Sequence, residues 1–117
     1  MKGVKALQVA AETAGVLTRA QALALLTRRQ LEYRLETKAW VRLFPSVYRV
    51  EGAPATWQQR LLAFTLWAGK RAVLSHRTAA ALHGFEGFDE GPLDATCTKR
   101  LRAQENVTLY EVEVLSD

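Results

Sequence analysis

Cysteine, proline and long apolar runs are what this sequence has least of. Its single cysteine, Cys97, excludes an internal disulfide framework and a cysteine-rich zinc site. Three prolines and seven glycines in 117 residues are too few for a collagen-like or low-complexity chain. A hydrophobic fraction of 49% is too high for a disordered one. No apolar stretch approaches the ~20 residues of a membrane span. The opening residues, Met1–Lys5, carry two lysines but lead into alanines, Gln8 and Glu12, not the apolar centre of a signal peptide. A cytoplasmic protein is therefore expected. The length suits one domain or two very small subdomains, and it can bury a core without disulfides or metals.

Charge of one sign is also scarce, but only locally. Residues 1–50 hold nine Lys/Arg against three Glu, whereas residues 51–117 hold seven Lys/Arg against nine Asp/Glu. A basic half joined to a slightly acidic half suggests a polyanionic partner for the first half alone, nucleic acid or an anionic membrane surface.

The periodicity places an α+β fold on the chain. Val4–Ala14 reads as a helix through Leu7, Ala11 and Ala14, stopped by Gly15. Val16–Leu17 reads as a short apolar link. Thr18-x-x-Gln21 and Thr27-x-x-Gln30 have the form of capping boxes. They open helices Arg19–Leu26 and Arg28 to about Glu36, so the link between the two is a residue or two and the turn is sharp. Trp40–Val50 changes to strand-forming residues around Pro45-Ser46, a β-hairpin. Three helices and a hairpin, residues 1–50, are the order of a winged helix-turn-helix, with Leu7, Leu23, Leu31, Leu35 and Val47 expected to be buried together.

Residues 51–117 read as a second, smaller helical and β subdomain. A third Thr-x-x-Gln box, Thr56 to Gln59, precedes a helix through Trp57, Leu61, Phe64 and Ala68. Ala72–Leu74 reads as a short strand, His76–His83 as a helix capped by Ser75, Phe85–Pro92 as loop, and Leu93–Thr98 and Val107–Val114 as strands.

The third helix carries the clearest chemistry. Leu31 and Leu35, four apart, should face the core, which leaves Arg28, Arg29, Gln30, Tyr33 and Arg34 available to a ligand. Arg28 and Arg29 sit in the first turn, where the helix dipole disfavours cations by roughly 0.3–1 kcal/mol each. A sequence chosen for stability alone would carry acids there. Two arginines after a tight turn suit phosphate contacts or bidentate reading of guanine in a major groove, and Gln30 could read adenine. Arg42 and Arg49 lie on the hairpin, where a wing would meet the flanking backbone. The plainer alternative is a solvated basic face.

Catalytic patterns are poor. His76 and His83 are two turns apart, but only Cys97 and scattered carboxylates could complete a metal site, and no ligand spacing appears. Cys97 reads as a small buried apolar group. Glu86, Asp89, Glu90 and Asp94 read as a solvated loop, and Trp40, Trp57 and Trp67 as core. No enzymatic activity and no cofactor is expected.

The segment GVLTRAQALALLTRRQLEYRLETKAWVRLFPSVYRV, followed by AVLSHRTAAALHGF, resembles the N-terminal region of AbiEi-type antitoxins of type IV toxin–antitoxin systems. The same arrangement occurs in front of very-short-patch-repair-like endonuclease domains. The resemblance spans about residues 4–98, with Thr27–Val50 and Val73–Gly84 as its best-matched parts. It implies a winged helix that binds double-stranded operator DNA and represses its own operon, with no membrane partner. It also implies a toxin that is not bound directly. The family residues that map here are Arg28, Arg29 and Arg34 on the recognition helix and Arg42 on the wing. The pattern has glycine where this chain has Lys38 and Ser46, so the helix exit and wing tip are expected to differ in shape. The chain also stops before the rest of the antitoxin and before any nuclease domain, as a short member or an excised part would. Self-association is left open. The alternatives are a protein-interaction module with a basic face, and the non-catalytic front of a larger nuclease-type protein.

Overall fold

Short amphipathic segments broken by Gly, Pro and capping threonines yield short elements, and the computed structural model, which describes residues 2–84, 90–99 and 101–113, is built from them. In chain order they are α1 (Lys2–Ala11), β1 (Val16–Thr18), α2 (Arg19–Leu25), α3 (Arg28–Glu36), β2 (Val41–Phe44), β3 (Val47–Arg49), α4 (Trp57–Ala68), a 3-10 turn (Gly69–Arg71), β4 (Ala72–Leu74), α5 (His76–Leu82), β5 (Leu93–Cys97) and β6 (Val107–Glu111). The described residues thus form an α+β fold of five α-helices and two three-stranded sheets. They fall into two compact units, Met1–Trp67 and Ala68–Asp117.

In the first unit, Val16–Leu17 is more than a link. With Thr18 it forms β1, which pairs antiparallel with β3 (Val16 opposite Arg49, Thr18 opposite Val47). Three residues are too few to show an alternation, and the strand exists only because β3 arrives from later in the chain. β2 pairs on the other side of β3, giving the order β1–β3–β2. Both predicted capping boxes are complete. In each, the Thr18 or Thr27 hydroxyl accepts from the amide of Gln21 or Gln30, whose side chain accepts from the threonine amide.

The core forms around Ala6, Ala10, Leu17, Ala22, Leu26, Leu31, Trp40, Tyr48 and Val50, with Leu7 and Leu35 packed against it half-buried. Two of the expected members differ. Leu23 is exposed, because the inner side of the two-turn helix α2 belongs to Ala22 and Leu26. Val47 is buried but lies outside this cluster. Its neighbour Tyr48 is in it, and adjacent strand residues point to opposite faces. Phe44 is buried under an aromatic set, stacked on Trp67 at 5.5 Å and edge-on to Phe64 at 5.7 Å. Trp40 is buried, whereas Trp57 and Trp67 are only half-buried.

The third box is half complete. Thr56 accepts from the Gln59 amide, but the Gln59 side chain is buried and donates instead to the carbonyls of Ala14, at 2.8 Å, and Pro54, at 3.0 Å. It thereby satisfies the turn after α1 at the cost of one cap bond.

Lys38 and Ser46 both have φ of 63°, the left-handed region that glycine enters freely. Lys38 follows the last residue of α3's cap, the position where helices most often place glycine. Ser46 follows Pro45 in the two-residue hairpin loop, as in a type II turn. The backbone therefore takes a glycine-like path at both positions. Lys38→Gly and Ser46→Gly are each expected to stabilise the chain by about 1 kcal/mol, the cost of holding an L-residue left-handed. Urea unfolding of each variant checks this, and an unchanged midpoint would refute it.

The second unit is a mixed sheet in the order β4–β5–β6, antiparallel between β4 and β5 and parallel between β5 and β6. Strands β5 and β6 are shorter than expected and end at Cys97 and Glu111. Ser75 does not cap α5 with its side chain. That role falls to Asp94 on β5, whose carboxylate accepts from the Arg77 amide at 3.0 Å and from the Arg77 guanidinium at 2.9 and 3.0 Å. Asp94 is thus a buried structural acid, not part of a solvated loop; Glu86 and Asp89 lie outside the described residues.

Hydrogen bonds from the Arg77 guanidinium hold the Asp94 carboxyl below its ordinary 3.8, against the burial that pushes it up. A depressed carboxyl stabilises the fold wherever the unfolded chain would also be ionised, that is above pH 3.8, and the contribution disappears as pH falls through the native value. Asp94→Asn should therefore lower the urea midpoint at pH 7. The gap from wild type should narrow steadily below pH 3.8. A gap independent of pH would contradict the assignment.

Candidate nucleic-acid interface

The turn between α2 and α3 is two residues, Leu26 and Thr27. Leu26 is buried and pins the exit of α2, while Thr27 caps α3, so the start of α3 is fixed from both sides. Leu31 is fully buried and Leu35 half-buried, which turns the rest of the helix outward.

The five candidates on α3 separate into two groups. Arg28 and Arg29 are exposed, and Tyr33 is 65% exposed. None of their three side chains joins an ion pair or a hydrogen bond among the described residues. Gln30 and Arg34 are committed within the helix. The Gln30 side-chain oxygen accepts from the Thr27 amide at 2.8 Å. The Arg34 guanidinium donates to the Gln30 carbonyl at 3.2 Å and lies 5.8 Å from the Trp40 ring centre, a cation–π distance.

On the hairpin, Arg42 is exposed and its guanidinium lies 5.9 Å over the ring of buried Tyr48. Arg49 is half-buried between Val16 and Val41, its partners on the adjacent strands. Tyr48 also accepts a hydrogen bond from Arg19 at 3.2 Å, so Arg19 and Arg42 meet at one tyrosine. Arg19 lies outside the residues expected on α3 and the hairpin. Its signal is there, since Arg19 follows capping Thr18 as Arg28 follows Thr27.

Glu32 and Glu36 are exposed on α3 and have no ion-pair partner among the described residues, despite the helical spacing of Arg28 and Glu32. The outward side of α3 therefore carries both signs, and its positive excess sits at its start. The first unit as a whole holds ten Lys/Arg and four Glu, the second six and eight.

The other chemical grouping is at the start of α5. Thr96 donates to the Ser75 hydroxyl at 2.8 Å, which lies 2.8 Å from His76 Nδ1. The His76 ring stacks on Tyr110 at 3.8 Å. Among the described residues no set of three or more His, Cys, Asp or Glu could hold a metal ion, and Cys97 is buried. None of the helices described is long and apolar enough to cross a membrane. No protein-family model matches the chain, and no curated protein matches it significantly.

Proposed function

We propose that the first unit is a winged helix-turn-helix that binds double-stranded DNA, with α3 in the major groove and the β2–β3 hairpin as a wing on the flanking backbone. The observation that carries this reading is the start of α3. Arg28 and Arg29 stand exposed and unpaired after a two-residue turn, at the start of a helix anchored by buried Leu31. Their placement against the helix dipole makes sense when phosphates or guanine edges supply the compensating charge. The order β1–β3–β2 around the helices agrees with a wing, on which Arg42 is exposed. In the cell we read the protein as a regulator of its own operon, in the manner of the antitoxins it resembles. Glu32 and Glu36 favour a second reading, a protein partner docked on α3.

Fluorescence anisotropy of the full chain separates the two. A duplex from upstream of its own gene should bind more tightly than a scrambled one, and binding should fall steeply between about 50 and 200 mM salt. Absence of binding at the lower salt would reject the DNA reading.

A further inference from the structure

We propose that Tyr33 determines operator sequence by reading the 5-methyl group of a thymine in the major groove. The inference rests on the DNA-binding reading above and adds a specific base contact to it.

Three observations converge on this residue. Tyr33 lies about 160° around the helix from both Leu31 and Leu35, at 100° per residue. It therefore sits directly opposite the buried side of α3. It is the most exposed large apolar side chain among the described residues, at 65%. Its ring also makes no aromatic or cation contact among them. By contrast, two other α3 groups that could read a base are already engaged, Gln30 in its capping box and Arg34 against Trp40.

The chemistry then selects the ligand. A tyrosine ring has no charge to offer a phosphate. In the major groove the apolar feature open to it is the thymine methyl group, which gains from contact with an aromatic face. Arg29 stands one helical turn earlier on the same outward side. Four residues rise about 6 Å, against about 3.4 Å per base step. Arg29 and Tyr33 thus reach bases one to two steps apart. The pair would favour a guanine under Arg29 with a thymine one to two steps away. Glu36, about 4.5 Å beyond Tyr33 along the helix, carries a carboxylate with no apolar face to offer a methyl group and serves as a control.

The test removes the methyl group from the DNA and leaves the protein intact. The full chain selects duplexes from a random pool. The enriched duplex is then resynthesised with deoxyuridine replacing each thymidine in turn. At one position the replacement should weaken wild-type binding about four-fold, the worth of one methyl group withdrawn from water. Tyr33→Ala should bind both duplexes equally. Tyr33→Phe, which keeps the ring, should discriminate as wild type does, and Glu36→Gln should leave the discrimination unchanged. Enrichment with no sensitivity to deoxyuridine, or with the same sensitivity in Tyr33→Ala, overturns the tyrosine assignment and leaves DNA binding standing. No enrichment at all removes the DNA reading itself.

Discussion

Gly15→Ala is expected to destabilise the protein by about 3 kcal/mol, the sum of a left-handed backbone penalty and an overpacked core. Gly15 is buried with φ of 82°, its amide donating to the Ala10 carbonyl and its carbonyl accepting from the Val50 amide. A Cβ added there would fall on the Cβ of Ala53. Neither side can yield readily. α1 ends on one, and the Gln59 amide bonds to the Ala14 and Pro54 carbonyls on the other. Gly52 is the control, since it has the same φ of 82° with open space around it. Gly52→Ala should cost only the backbone term, about 1 kcal/mol. Urea unfolding followed by circular dichroism gives both numbers, and equal losses would show that Ala53 moves aside.

Removing Arg28 and Arg29 together should have the largest effect on binding. Each arginine that neutralises a phosphate contributes about 0.9 to the slope of log affinity against log salt. Each one that reads guanine instead contributes about 1–3 kcal/mol of preference for one base pair. Arg34→Ala should do much less to either quantity, because that guanidinium already serves the Gln30 carbonyl and Trp40. A salt series on the double variant and on Arg34→Ala, with upstream and scrambled duplexes, ranks them. If Arg34→Ala proves the more damaging, the division of α3 into free and committed residues is wrong.

That division was not legible in the sequence. Helical spacing shows which residues face away from Leu31 and Leu35, but not which of them spend their polar atoms on neighbours. Gln30 has two roles in its letter code, cap and reader, and only coordinates choose between them. Local signals did locate the helices well. The Thr-x-x-Gln boxes opened α2 and α3 at the residues expected, because capping is decided within four positions. Signals that depend on distant chain failed in each case for that reason. β1 needs β3, the Gln59 side chain needs Ala14, and Asp94 looked like a loop acid because its partner Arg77 is 17 residues away. Leu23 failed differently, since a two-turn helix shows too little of a period to tell its inner side from its edge.

The place of β3 at the centre of the first sheet governs how that unit is assembled as the chain is made. β1 leaves the ribosome some thirty residues ahead of its partner, and β2 also waits for β3. In that interval α2 and α3 have their own caps and their contacts with each other, but helices this short are marginal in water until Tyr48 of β3 completes the core they pack into. Synthesis thus delivers the helix pair first, and the strand that holds it to a fixed orientation last. A nascent chain stopped before Val47 would present the arginines of α3 on a helix with no sheet to aim it.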